Sequence, residues 1–427
     1  MDSVFRDDIE VKSLGGLKVA VPDFQLKRQE WALESFEYLS EIRMRIEQLK
    51  LQSNDPKLLS LTRSRLKKMK DLCNFHLDQM SDQLSFLSDS RIHHSEYARM
   101  MSGKKQSYQL NQYHSHLSKD WAWGEEEIGI GFKLIEECLP TALHAEKVLA
   151  LGAGACRLPY ELHRKLSAKQ SYFLDINPLL LSVARKVIEG NELELIDIPL
   201  VPLNSDSFIV KSKLKNPHPI TDGIHYLIHD VCDWGFKEKV FDLVFTPWFI
   251  DISPLDAADL IALINSSLPE GGHWINFGPL IFNKTNMSQF YSYEEILYLI
   301  EKSGFEIIEK RYTSIPHLKN PNSGRWQHDQ VLCFSARKVS DCDQPAHYGN
   351  TELVEWLEDH NTKIDMPQSL TEMQLSLGFT LDLAMTCQKG LTINQLAAVL
   401  ANRHQMPVEQ ASYLIASTLK LWSKSLK

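Results

Sequence analysis

Between residues 125 and 339 short apolar runs alternate with segments of helical periodicity, and this alternation restricts the fold more than any other feature of the chain. The runs are residues 147–151, 171–175, 225–229, 241–245 and 273–277, followed by a closing pair at 305–312 and 329–337. Helical segments stand between them at 125–139, 158–166, 178–188, 254–268 and 292–303. Parallel neighbours need a crossover and a helix supplies it, so the pattern predicts an α/β fold around a parallel sheet with right-handed connections. The closing pair is expected to add an antiparallel strand at one side. Residues 191–223 interrupt the alternation with several prolines and one β-like run, Ser207 to Val210, and read as an insertion.

Open α/β sheets bind ligands beyond the carboxyl ends of their strands, so the residues just after each run are the candidate site. The first run leads into Gly152-Ala-Gly154-Ala-Cys-Arg157. Glycine lets backbone approach a ligand closely, and the N–H groups of the following helix face it; tight strand–helix packing is the plain alternative. The second run ends in Asp175, where a carboxylate can hold both hydroxyls of a ribose. No third glycine follows at the dinucleotide spacing, which argues for S-adenosyl-L-methionine over NAD. Asp230 follows the third run, either accepting from an adenine amino group with Val231 and Trp234 over the ring, or capping a turn. The fourth run continues through Thr246-Pro-Trp248-Phe249-Ile-Asp251. Thr246 is assigned to the donor side, and the two aromatics with the acid form an acceptor pocket; otherwise Trp248 and Phe249 are core and Asp251 caps the next helix. The fifth run leaves through Asn276-Phe-Gly-Pro-Leu280 on the same rim.

Residues 1–106 read as a helical hairpin region. Trp31, Phe36, Leu39, Ile42, Ile46 and Leu49 recur at helical steps over 24–50, and a second apolar stripe runs from Leu59 to Leu87 after the start signal Asp55-Pro56. The basic run Arg63 to Lys70 is the solvated face of that second helix. Residues 107–123 hold Tyr108, Tyr113, His114, His116, Lys119, Trp121 and Trp123, either a lid over the cofactor or a strap docked by its tryptophans. His93-His94 and His114-x-His116 lack companion ligands at fixed spacing, so no metal is expected. Residues 340–350 are a polar linker, and 351–427 read as a small helical domain.

A net charge of −9 argues against nucleic acid or an anionic membrane as partner. Seven scattered cysteines without a C-x-x-C pair suggest reduced thiols, and with no apolar span of membrane length the chain is expected in the cytoplasm.

These features converge on a resemblance. From Tyr108 to Lys338 the chain resembles the carnosine N-methyltransferase family through His116-Leu-Ser-Lys119-Asp-Trp121, Gly152-Ala-Gly-Ala-Cys-Arg157, Phe249-Ile-Asp251, Trp274-Ile-Asn-Phe-Gly-Pro-Leu280 and Val331-Leu-Cys-Phe334. The resemblance implies a Rossmann-like class I methyltransferase core that uses S-adenosyl-L-methionine. It places Gly152, Gly154 and Arg157 along the methionine and ribose side, and Asp175 where the family commonly has Glu. Asp230 and Val231 fall at the adenine, Lys119 where an Arg nears the cofactor carboxylate, and Asp251 at the acceptor imidazole. The chain departs from the family in three places: His116 stands for a cofactor-proximal Gln, Asn283 for a histidine, and Trp326-Gln-His328 for a run of tyrosines. Asn283, Trp326 and His328 are therefore assigned to the substrate side. Farther on, Gly390-Leu-Thr-Ile-Asn-Gln-Leu-Ala-Ala-Val-Leu and Met406-Pro-Val-Glu-Gln-Ala resemble PqqD-like peptide-binding modules.

The expected activity is methyl transfer to a histidine imidazole or an amine in a small peptide, with Asp251 accepting one N–H so that a lone pair faces the methyl group. A larger precursor peptide recruited by 351–427 is the second reading, and a non-catalytic cofactor- or peptide-binding protein the third.

Overall fold

The computed structural model describes residues 4–87, 110, 114–141, 143–284, 287–342 and 392–403, with 408, 411, 412 and 415. They fall in two compact units, the larger holding the described residues up to 342 and the smaller those from 392 on. Tyr108, Tyr113, His93-His94, the linker from 343, the expected helices of 351–391 and the Met406-Pro-Val-Glu-Gln-Ala stretch as a whole lie outside the described residues.

The larger unit opens with an element that helical periodicity cannot reveal. Strands β1 (Lys12–Leu14) and β2 (Leu17–Val19) form a hairpin through Gly15 and Gly16, both at positive φ as so tight a turn requires. The helical hairpin follows as expected. Helix α1 (Phe24–Ser53) starts where the Asp23 carboxylate accepts the Leu26 N–H at 3.0 Å, and it buries Trp31, Ile42, Ile46 and Leu49. Helix α2 (Ser60–Gln83) begins later than the Asp55-Pro56 signal suggests, because Asp55 accepts the Lys57 N–H at 2.8 Å and closes a turn in the connection.

Helix α3 (His114–Ser118) runs into a π-helical turn, Lys119–Trp123, and then α4 (Glu125–Cys138). Next come β3 (Lys147–Leu151), α5 (Arg157–Leu166), β4 (Gln170–Asp175) and α6 (Pro178–Ile188), which is capped by Asn177. The insertion is a β-hairpin of its own, β5 (Leu193–Asp197) against β6 (Val210–Leu214), so the expected run at 207–210 is displaced and gains a partner. The unit closes with β7 (Ile224–Ile228), β8 (Leu243–Pro247), α7 (Ala257–Ser267), β9 (His273–Gly278), α8 (Tyr293–Lys302), β10 (Phe305–His317) and β11 (Gln327–Lys338).

One nine-stranded sheet has the order β1-β2-β7-β4-β3-β8-β9-β11-β10. Strands β2, β7, β4, β3, β8 and β9 run parallel, and β11 enters antiparallel between β9 and β10. The central strands are apolar on both faces: Val148, Ala150 and Phe173 join one core cluster, while Leu149, Leu151, Tyr172 and Leu174 join the other. That is why they read as continuous apolar runs and why their ends are fixed in space. Strand β8 begins two residues later than expected, since Asp242 accepts the Glu146 and Lys147 N–H groups at 2.8 Å each before the strand proper. Strand β10 runs five residues past its apolar part because it stays paired with β11 as far as His317 opposite Gln327.

In the smaller unit α9 (Ile393–Arg403) starts at Thr392, whose hydroxyl accepts the Gln395 N–H while the Gln395 side chain accepts the Thr392 N–H. Ile393, Leu396, Ala397 and Leu400 form its buried face. Among the described residues no helix is long and apolar enough to cross a membrane.

Candidate functional site

The site forms where β3, β4, β7 and β8 end. After β3 the chain turns through Gly152 (φ 65°), Gly154 (φ 53°) and Cys156 (φ 66°) into α5. Residue 152 requires glycine for two reasons: its φ, and the Phe249 ring, which occupies the place of a side-chain carbon there. A Cβ on Gly154 meets nothing within 4 Å, so the second glycine faces open space. The Gly154 N–H donates to Asp175 Oδ2 at 2.8 Å, and the Asn177 N–H donates to Oδ1 at 2.8 Å. Burial raises the pKa of Asp175 against the opposing pull of these N–H groups. The ends of β4 and β7 are tied by the His229 N–H, which donates to the Asp175 carbonyl at 3.2 Å. Asp230 caps the short turn Val231–Asp233, with Oδ1 accepting the Cys232 N–H at 2.9 Å, and Val231 is buried in that turn.

Two residues assigned to the donor side have their polar atoms engaged inside the protein. Thr246 is fully buried, and its hydroxyl donates to Asn276 Oδ1 and accepts from Trp274 Nε1, both at 2.9 Å, which places it in the sheet interior. The Arg157 guanidinium pairs with Glu125 at 3.0 Å and Glu161 at 2.9 Å, donates to the Asp120 carbonyl at 2.9 Å, and lies 5.1 Å from the Trp121 ring centre. It braces α5 against α4 and the π-helical turn. Trp121 itself is docked, its indole N–H donating to the Ala155 carbonyl at 2.7 Å, and Trp123 donates to Asp197 Oδ2 at 2.7 Å.

On the acceptor side Trp248 adopts φ 53°, a strained value for a residue with a side chain. Its N–H donates to the Phe277 carbonyl at 2.7 Å, and its backbone passes so close to β9 that a Cβ on Gly278 would stand 2.8 Å from the Trp248 Cα. Asp251 is 4% exposed. Its Oδ2 accepts the Ile281 N–H at 2.9 Å, and Oδ1 is buried with no well-formed hydrogen bond among the described residues. Burial raises its pKa, the N–H groups of Ile281, Asp251 and Ile252 oppose this, and the Asp329 charge adds to it. Asn283, Trp326 and His328 are exposed, whereas Asp251 is buried.

A buried charged cluster links Lys119 to Trp248. Lys119 pairs with Asp120 at 2.9 Å and Glu127 at 3.5 Å; burial acts to lower its pKa, but the two carboxylates outweigh it and the net shift is upward. Glu127 Oε1 lies 3.2 Å from His317 Nδ1, and the His317 ring lies flat on Trp248, 4.3 Å between centres. His116 meets His317 edge-on at 5.8 Å. Burial, with Lys119 and His317 beside it, holds the His116 imidazole well below its usual range. The sequence singled out His116, Lys119 and Trp248 but gave no role to Glu127 or His317, which the fold brings beside them. Glu127 stands in an acidic helix start, and His317 lies beyond the apolar part of β10.

The strand order β7-β4-β3-β8-β9-β11-β10, parallel but for β11, with a glycine turn after β3, defines a Rossmann-like class I methyltransferase fold. Residues 98–340 match the profile described as carnosine N-methyltransferase, and the chain belongs to that family. It is 35% identical over 91 residues to the carnosine N-methyltransferase of Dictyostelium discoideum, 21% of this chain and 19% of that protein. It is also 33% identical over 106 residues to carnosine N-methyltransferase unmet of Drosophila melanogaster, 23% of each chain. These matches thus span about a fifth of the curated relatives' length. Among solved structures it is similar to the N-methyltransferase NodS from Bradyrhizobium japonicum, at 11% identity and TM-score 0.33, covering 51% of this chain and 97% of that one. A second is the S-adenosylmethionine dependent methyltransferase from Mesorhizobium loti, at 14% identity and TM-score 0.33, covering 48% and 96%.

Proposed function

We propose that this protein is an S-adenosyl-L-methionine-dependent N-methyltransferase whose acceptor is the imidazole or amine nitrogen of a small histidine-containing peptide. The carrying observation is Asp251: a buried carboxylate with one oxygen that lacks a well-formed hydrogen bond, two residues from the ring that packs on the glycine turn. Two residues of chain reach about 7 Å at most, so this acid stands on the rim where the donor would lie.

The donor fits the residues present. Gly154 faces open space, as a close backbone approach to a nucleoside requires, and Asp175 stands at the next strand end to take the ribose hydroxyls. Val231 and Asp230 would meet the adenine, while His116 in α3 and Lys119 in the turn after it would stand toward the amino-acid end. When bound, the cofactor supplies an electrophilic methyl group on a sulfonium. The chain's own part is placement. Asp251 Oδ1 accepts an N–H of the acceptor and thereby aims a lone pair, and Trp248 and Phe249 exclude water around it. Positioning of this kind is worth about 7–11 kcal/mol of barrier in well-oriented systems.

The test is calorimetry with S-adenosyl-L-methionine and its demethylated product, followed by transfer of an isotopically labelled methyl group to carnosine and to a dipeptide without an imidazole. Micromolar donor binding and label on an imidazole or amine nitrogen are expected. A chain that binds neither form of the cofactor overturns the reading.

A further inference from the structure

We propose that His317 is the base that takes the extra proton from a cationic acceptor, with Glu127 as the residue that positions it. The proposal rests on the methyl-transfer reading above.

His317 ends β10 and lies flat on Trp248, three residues before Asp251, so it shares a wall with the acceptor side. Two strained residues mark this pair. Trp248 has φ 53° and Leu318, next to the histidine, has φ 52°; such conformations cost about 1–3 kcal/mol each and persist where the surroundings enforce them. The groups facing His317 are Glu127 from α4, Lys119 from the π-helical turn with Asp120 paired to it, and His116 from α3; across the strand pair its partner is Gln327.

Burial acts to raise the Glu127 carboxyl, but the His317 hydrogen bond and the Lys119 charge outweigh it, so Glu127 is held below the usual range and is ionised at neutral pH. An ionised carboxylate only accepts hydrogen bonds, so His317 Nδ1 carries the proton that lies toward Glu127, and in the neutral ring the lone pair is on Nε2. With His116 neutral, Lys119, Asp120 and Glu127 together carry one net negative charge, which a protonated His317 would balance.

An amine is largely ammonium at neutral pH, and an imidazole is partly imidazolium. Neither can attack while its nitrogen pair is protonated. In the step inferred here the acceptor N–H bond breaks, its electron pair stays on the acceptor nitrogen, and the proton forms a new bond to His317 Nε2. Asp251 keeps a remaining N–H of the acceptor, and His317 returns its proton to solvent before the next cycle.

The experiment compares full-length wild type, H317Q and E127Q with S-adenosyl-L-methionine and carnosine between pH 6.5 and pH 9. Donor affinity should stay within about threefold for both variants. Turnover by H317Q should fall a few-fold at pH 6.5, where about half of an imidazole is cationic, and the loss should vanish by pH 9, where solvent has already deprotonated it. E127Q should show a smaller loss with the same pH trend. Long-range 1H–15N NMR should find His317 protonated at Nδ1 and bare at Nε2 without any turnover. An Nε2–H tautomer, an H317Q loss independent of pH, or H317Q activity equal to wild type overturns the proposal alone. A wild type that binds the donor and methylates nothing overturns the transfer reading, and this one with it.

Discussion

The Phe249 ring fills the space that a side chain on residue 152 would need. Gly152 also sits at φ 65°, so G152A meets a clash and a left-handed backbone together, a cost of about 1–3 kcal/mol. The ring must move, and Asp251 moves with it. Calorimetry should show donor affinity lowered at least tenfold, and thermal unfolding should drop by several degrees.

Asp251 links stability to pH in a definite direction. Its folded pKa is raised chiefly by burial, so the folded chain holds that proton more tightly than the unfolded chain does. Its contribution is complete at low pH and is lost as pH rises through the folded value. D251N lacks the titration. Between pH 4 and pH 7 the difference in unfolding free energy should therefore move in favour of D251N, while methyl transfer falls at least a hundredfold. Urea unfolding at both pH values decides; a constant difference would mean the charge is not buried.

Thr246 separates a sheet role from a cofactor role. T246V removes the hydroxyl that joins Trp274 Nε1 to Asn276 Oδ1, leaving buried polar atoms unpaired at a cost of about 1–3 kcal/mol. The urea midpoint should fall with donor affinity unchanged. Weakened donor binding at equal stability would return Thr246 to the cofactor.

Removing the Lys119 ammonium leaves Asp120 and Glu127 buried without their cation. K119M is expected to cost about 3–5 kcal/mol at pH 7, and the loss should diminish toward pH 4 as the two carboxylates take up protons. Chemical denaturation at the two pH values checks both the size and the trend.

The sheet was legible because β3, β4, β7, β8 and β9 are apolar on both faces and all of them but β7 are followed by a helix with its own stripe. Strands β1 and β2 were not, since three residues carry no period; only Gly15-Gly16 marked the turn. The glycine turn, Asp175 and Asp251 could be singled out in the sequence because each stands at or just after the end of an apolar run, and β3, β4 and β8 do end at or near them. Thr246 and Arg157 shared that location, but which way a side chain faces depends on partners such as Trp274, Glu125 and Glu161. Glu127 and His317 escaped notice because they lie 190 residues apart and mean little until the fold sets them 3.2 Å from one another.

Strand β11 is paired with β9 only over Leu332–Arg337, so the outer half of the last hairpin, Thr313–His317 against Gln327–Val331, hydrogen-bonds to nothing in the sheet but itself. Its residues Ile315, His317 and Val331 are buried, whereas Ser314, Gln327, His328 and Gln330 are exposed, so a change at these four leaves the pairing with β9 and the core in place. On the function proposed above, one acceptor can be exchanged for another by rewriting those few positions, with the turn that would take the nucleoside left as it is.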